Sequence, residues 1–222
     1  MLITIPKVLN ADQLKAIRAA LADARFVDGR LTAGTLAGPV KNNEELDRST
    51  EGLQKLNEIV IGTLCQQRTF RAAALPASVS RAFFARYGPG MSYGWHVDDP
   101  VSKDNQNRAD IAMTVFLSDV DEYDGGELVV RTTFGEQAIK LPAGDVVIYP
   151  SSSLHQVREV TRGQRLVAVA WTQSLVRDPA RRELLYELDF AREESISSGA
   201  RREITDGLEK VYANLLRMWA DT

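Results

Sequence analysis

The chain predicts a mainly β fold with flanking helices, an antiparallel sandwich or barrel that two Greek keys would close into a jelly roll. Three observations carry this. From residue 79 onward, short apolar segments recur at even spacing. Turn signals separate them: Gly88-Pro89-Gly90, Asp124-Gly125-Gly126, Pro142-Ala143-Gly144-Asp145 and Arg162-Gly163. Before and after that region the apolar spacing is helical.

Residues 2–9 read as a short strand. Asn10 follows as a helix cap, with Gln13 as its capping-box partner. Leu14, Ile17, Ala20, Leu21 and Ala24 then predict a helix over 11–25. Residues 27–43, rich in Gly and Thr, read as strand and loop. Leu46, Leu53, Leu56, Val60 and Leu64 predict a second helix over 46–67. The strands expected next are 79–87, 111–117, 127–132, 137–141, 145–149, 155–160 and 165–172. Asp178-Pro179 opens a helix carrying Leu184, Leu185, Leu188 and Phe190. A hinge at 195–199 precedes a last helix over 201–219. The expected division is a β domain with its N-terminal helices at 1–176 and a C-terminal helical extension at 177–222. The apolar tail helices suit either a contact between copies in a homo-oligomer or an intramolecular lid.

Composition narrows the function classes. Hydrophobic residues make up 44% and charged residues 26%, with a formal net charge of -3 and a pI near 5.5. A nucleic-acid partner is disfavoured, because a phosphate backbone calls for a basic footprint. No apolar run approaches the roughly 20 residues that cross a bilayer. The N-terminus lacks the build of a signal peptide. Cys65 is the single cysteine, so no internal disulfide forms, and it is expected inside a buried helix face. A cytoplasmic protein is expected.

The chain has two histidines, and both sit in one pattern. His96 and Asp98 form H-x-D in Gly94-Trp95-His96-Val97-Asp98, and His155 lies far downstream. Residues i and i+2 of an extended segment share a face, so His96 and Asp98 reach one ion together. Two imidazoles and one carboxylate are the facial triad of non-haem Fe(II) oxygenases, which leaves positions open for co-substrate and O2. Arg165, ten residues on, leads straight into the apolar run 166–170. A buried guanidinium needs an anion, and its planar fork matches a carboxylate such as the distal one of 2-oxoglutarate. Tyr87 and Tyr93 flank the Gly-Pro-Gly loop, and Trp171 lies six residues after Arg165 on the same face. Tyr87 and Trp171 are the aromatic candidates for a co-substrate pocket. Asp99 is expected to face away from the ion. Asp119, Asp121, Glu122 and Asp124 read as a solvated acidic turn. Arg158 and Arg162 read as solvated arginines, and Arg177, Arg181 and Arg182 as a helix surface. Two rival readings stay open: a zinc-dependent hydrolase, which leaves Arg165 and Tyr87 without a task, and a non-catalytic 2-oxoglutarate or iron sensor.

The order Tyr87, His96, Asp98, His155, Arg165, Trp171 resembles the prolyl 4-hydroxylase branch of the Fe(II)/2-oxoglutarate dioxygenases. The fuller run resembles the bacterial PKHD-type hydroxylases, the PiuC/YbiX group associated with iron uptake. That run extends from Arg86-Tyr87 to Asp98, through Asp124-Gly-Gly-Glu-Leu128, to Trp171-Thr-Gln-Ser-Leu-Val-Arg-Asp178. The resemblance implies a double-stranded β-helix with His96, Asp98 and His155 on iron and Arg165 on 2-oxoglutarate. It gives Tyr87 a 2-oxoglutarate contact as well. It also implies L-ascorbate as an auxiliary reductant and hydroxylation of an unidentified substrate: an amino acid, a peptide or protein side chain, or a siderophore-like small molecule.

Overall fold

The computed structural model describes residues 1–34, 37–102 and 106–221. In chain order the strands and helices are β1 (Ile3–Ile5), α1 (Ala11–Ala22), β2 (Phe26–Asp28), β3 (Lys41–Asn42), β4 (Glu44–Leu46), α2 (Leu53–Gln66) and α3 (Arg68–Ala74). There follow β5 (Pro76–Val79), β6 (Phe83–Tyr87), β7 (Ser92–His96), β8 (Ile111–Phe116), β9 (Tyr123–Gly125), β10 (Leu128–Thr132) and β11 (Gly135–Ile139). The chain ends with β12 (Val146–Pro150), β13 (His155–Val157), β14 (Val160–Gly163), β15 (Arg165–Ser174), α4 (Pro179–Ser197) and α5 (Arg202–Trp219).

Two antiparallel sheets face each other. The major sheet runs β1-β12-β8-β15-β6-β4-β2, with β5 pairing the far end of β15. The minor sheet runs β11-β10-β13-β7-β3, and β9 and β14 form a separate ribbon. Alternation along the strands sorts side chains into two cores. Ala112, Phe116, Val147, Tyr149 and Val167 face inward and meet Leu128, Val130 and Val157 of the minor sheet. Met113, Val115, Ile148, Ala168 and Ala170 face outward, against Ile17 and Leu21 of α1, Val60 and Leu64 of α2, and Phe70 of α3. β8 is buried along its whole length because both its faces are covered. A fully buried side chain such as Phe84 stabilises this packing by about 2–3 kcal/mol.

The Asn10 cap is present as expected: Asn10 Oδ1 accepts from the Gln13 amide and Gln13 Oε1 from the Asn10 amide, both at 2.9 Å. The second helix differs. Leu46 lies in β4, paired with Phe26, and α2 starts only at Leu53. The Leu46 side chain is buried as the helical pattern requires, but a strand buries it. α3 is an additional helix after α2. The segment expected as one strand over 79–87 is two, β5 and β6. Between them Asn57 of α2 accepts from the Ala82 amide at 2.6 Å and donates to the Ala82 carbonyl at 3.3 Å. The acidic turn includes β9, and Glu122 takes both arms of the Arg18 fork at 3.0 Å. Arg162 pairs with Asp124 at 2.6 Å. Cys65 is half-buried.

The tail helices pack on each other and on α3. Asp178 caps α4, and Leu185, Leu75 and Val176 form a small third core with Tyr212, Leu216 and Trp219 against it. Arg182 corrects the expected basic surface: it is 4% exposed and donates to the carbonyls of Val176 and Arg177 at 2.7 and 2.8 Å. Its guanidinium thus satisfies backbone groups where β15 hands over to α4. Among the described residues no helix is long and apolar enough to cross a membrane.

Candidate active site

β7 and β13 are neighbours in the minor sheet, and their register pairs His96 with His155 directly. The ring centroids lie 4.2 Å apart. Asp98 follows the end of β7, and its Oδ1 stands 3.7 Å from His155 Nε2. Ligand atoms of His96, Asp98 and His155 all lie within 4.8 Å of one another, the one such group among the described residues.

The backbone sets the tautomer of both imidazoles. His96 Nδ1 is 2.8 Å from the Gly94 carbonyl, and His155 Nδ1 is 2.9 Å from that of Ser153. A carbonyl only accepts, so each Nδ1 carries the proton and each Nε2 keeps its lone pair. Tyr93 stacks on His96 at 3.6 Å, and Tyr149 meets His155 edge-on at 5.2 Å. Burial, and secondarily His155, push the His96 pKa down to about 3, so the ring is neutral and ready to ligate. Burial pushes the Asp98 carboxyl up, while His155 and the nearby Trp171 indole pull it back. This donor set fits a divalent iron with open positions.

A cavity of about 190 Å³ runs from the triad to Arg165. Arg165 is 2% exposed, and its Nε has no hydrogen-bond partner. Its guanidinium lies 5.1 Å from the Tyr87 ring and 5.7 Å from the Phe116 ring. No carboxylate among the described residues pairs with it, so the cavity end is cationic and suited to an anion. Arg165 and Tyr87 are cross-strand partners in β15 and β6. Burial pushes the Tyr87 phenol up to about 12, with Arg165 opposing. Gly126 makes room for the arginine stem: a Cβ there would sit 3.0 Å from Arg165 Cδ.

Trp171 lies at the other end of β15, beside Asp98 and tilted on Phe83 at 5.4 Å. Six residues of strand separate it from Arg165 by about 20 Å. Asp99 lines the same cavity as Asp98, against the expectation that it faces away. β7 stops at His96, so strict strand alternation no longer governs residues 98 and 99.

Several residues in or beside the cavity were not singled out from the sequence. Tyr123 is fully buried with its hydroxyl unpartnered near Arg165, and it sits in what reads as an acidic turn. Lys41 in β3, Asn43 between the two strands and Glu45 in β4 also line the cavity. Lys41 Nζ pairs with Glu45 and donates to Thr32 Oγ1 at 3.0 Å, and Thr32 donates to Glu45 at 2.8 Å. The period-two run Lys41-x-Asn43-x-Glu45 was the available signal.

Comparison with known proteins decides the family. The family model described as 2OG-Fe(II) oxygenase superfamily matches residues 82–173, and that of the PKHD-type hydroxylase C-terminal domain matches 179–221. A PKHD-type hydroxylase of Thioalkalivibrio sulfidiphilus is 56% identical over 100% of both chains.

The chain belongs to the PKHD-type hydroxylases.

Another PKHD-type hydroxylase, from Synechococcus elongatus, is 47% identical, again over 100% of both chains. Among solved structures, a Pseudomonas putida prolyl-4-hydroxylase matches with a TM-score of 0.55 and 20% identity, covering 78% of this chain and 92% of that one. A carbocyclase, SnoK, from nogalamycin biosynthesis matches with a TM-score of 0.56 and 18% identity, covering 79% and 80%. These two likenesses show the jelly-roll fold. As a PKHD-type hydroxylase, the protein is an Fe(II)- and 2-oxoglutarate-dependent oxygenase.

Proposed function

We propose that His96, Asp98 and His155 hold the iron, and that Arg165 receives the distal carboxylate of 2-oxoglutarate with Tyr87 beside it. The observation that carries this is the pair of backbone carbonyls on His96 and His155. They leave both Nε2 lone pairs available, with His155 Nε2 3.7 Å from Asp98 Oδ1 and all three ligand groups within 4.8 Å. Iron, when bound, would activate O2, the oxidant for hydroxylation, with 2-oxoglutarate as the co-substrate oxidised alongside. The chain's own part is to hold the ligand set rigid, anchor the oxo acid and keep water from the cavity. Tyr123 adds a second phenol at the Arg165 end. Trp171 acts at the iron end, next to Asp98.

The substrate enters from the wall formed by residues 32–34, 37–48, 97–102 and 106–109, whose cavity-facing groups include Lys41, Glu45 and Asp99. A polar substrate suits that wall: an amino acid, a peptide or protein side chain, or a siderophore-like molecule. From the family resemblance we also propose ascorbate as auxiliary reductant, a link to iron uptake and a cytoplasmic location. The test is an anaerobic titration with Fe(II) and then 2-oxoglutarate. A weak visible charge-transfer band that requires both, and that His155→Ala abolishes, supports the reading. Tight zinc binding with no such band overturns it.

A further inference from the structure

We infer that Asn43 is a co-substrate-binding residue, its carboxamide N–H donating to a carboxylate oxygen of 2-oxoglutarate beside the Tyr87 phenol. The inference rests on the proposed reading of the cavity as the iron and 2-oxoglutarate site, and four features of the N-terminal segment point to it.

The first is register. β4 pairs β6 through Glu44 with Arg86 and Glu45 with Ala85, so one step earlier Asn43 comes opposite Tyr87. On its other side Tyr87 pairs with Arg165. Asn43, just before β4, therefore lies in one row with Tyr87 of β6 and Arg165 of β15, and all three line the cavity. The second is burial without partners. Asn43 is 4% exposed, and neither its Oδ1 nor its Nδ2 makes a hydrogen bond. The Tyr87 phenol is near enough to feel the amide but outside hydrogen-bond geometry. Buried amides are nearly always satisfied, and an unmade bond costs about 1–3 kcal/mol. A side chain in that state on a cavity wall has its partner in what the cavity receives.

The third is orientation. Asn43 Oδ1 is seated against the bare Cα of Gly29, where a Cβ would stand 1.9 Å from it. The Gly29 amide also donates to the Asn43 carbonyl at 2.9 Å. Neither amide atom has a partner there, so the Nδ2 donor is free to meet an acceptor in the cavity that Asn43 lines. The fourth is what flanks it. Lys41 and Glu45, two residues to either side on the same face, pair with each other and with Thr32. They pin the strand, and Asn43 is the group between them that keeps a donor free.

The experiment measures 2-oxoglutarate binding to the Fe(II)-loaded full chain under anaerobic conditions, from the charge-transfer band, and Fe(II) affinity separately without 2-oxoglutarate. The wild type must show the band and Arg165→Met must weaken it; failure there refutes the cavity reading itself, apart from Asn43. With those controls met, Asn43→Ala is expected to weaken 2-oxoglutarate about 10-fold while Fe(II) affinity and the unfolding midpoint hold. Asn43→Asp keeps the shape but replaces the donor with an acceptor, and is expected to weaken it further. Gly29→Ala, which leaves Asn43 in place but displaces its amide, is expected to act in the same direction. A 2-oxoglutarate Kd within twofold of wild type in either Asn43 variant overturns the inference. So does a parallel loss of Fe(II) affinity, which would mean that Asn43 only holds the fold.

Discussion

Arg165→Met separates function from stability at one residue. In the protein alone, the guanidinium is 2% exposed and faces no carboxylate among the described residues. Replacing buried charge with well-packed apolar volume is often neutral or stabilising by about 1–4 kcal/mol. Two ring contacts, at 5.1 Å to Tyr87 and 5.7 Å to Phe116, offset part of that gain. The net expectation for metal-free Arg165→Met is a gain of about 1–2 kcal/mol, or roughly 2–8 °C in Tm for a domain of this size. Binding goes the other way. Losing two charge-assisted bonds to a carboxylate removes about 3–4 kcal/mol, a weakening of 10²- to 10³-fold in 2-oxoglutarate. Thermal unfolding in chelator and the anaerobic band titration read the two quantities. A variant that melts below wild type yet binds 2-oxoglutarate normally would refute the reasoning, because Arg165 would then be a structural residue.

Gly126→Ala is expected to destabilise by about 1–3 kcal/mol, since φ is +66° and the new Cβ would meet Val160 and Arg165 at 2.9 and 3.0 Å. It should also weaken 2-oxoglutarate more than Fe(II), which parallel titrations check. Lys41→Met leaves Glu45 as a buried lone anion and is expected to cost about 3–5 kcal/mol in urea unfolding. The double variant Lys41→Met/Glu45→Leu should recover most of it, and equal losses in both would contradict the ion-pair account. His96 predicts a pH dependence of the metal-free protein. Its folded pKa of about 3 lies below the unfolded value near 6.5, so the unfolded state binds the extra proton between them. Its contribution is intact above pH 6.5 and falls on acidification, by at most about 1.4 kcal/mol per pH unit, down to about pH 3. The gap in unfolding free energy between wild type and His96→Gln should therefore shift against wild type from pH 7 to pH 4. A pH-independent gap would count against a neutral buried His96.

The candidate iron ligands were legible because histidine is scarce in this chain and the H-x-D spacing is short. Arg165 was legible because charge at the head of an unbroken apolar run has few structural explanations. The strands around them followed from turn residues such as Gly125-Gly126 and Pro142. The N-terminal wall was not legible. Leu46 satisfies a helical pattern and a strand pattern equally, and only pairing with Phe26 decides between them. Misplacing that one residue conceals β4, and with it the alternation that brings Lys41, Asn43 and Glu45 to one face. Tyr123 was hidden in the same way, since three acidic neighbours make its segment look solvated while the Arg18 fork and β14 fold it inward. Arg182 read as surface because nothing local signals the backbone carbonyls it serves.

The cavity has two kinds of boundary. Arg165 stands on β15, a strand whose inward and outward residues are locked by opposite cores, so a change of register there would disturb both layers at once. The mouth is framed instead by residues 32–34, 37–48, 97–102 and 106–109, which are mostly connecting segments. Selection can therefore act on the two independently. Asp98 and Asn43 aside, substitutions along the connecting segments change what is admitted and leave the oxidant-generating end as it is, so a single scaffold can diverge in substrate while its co-substrate stays constant.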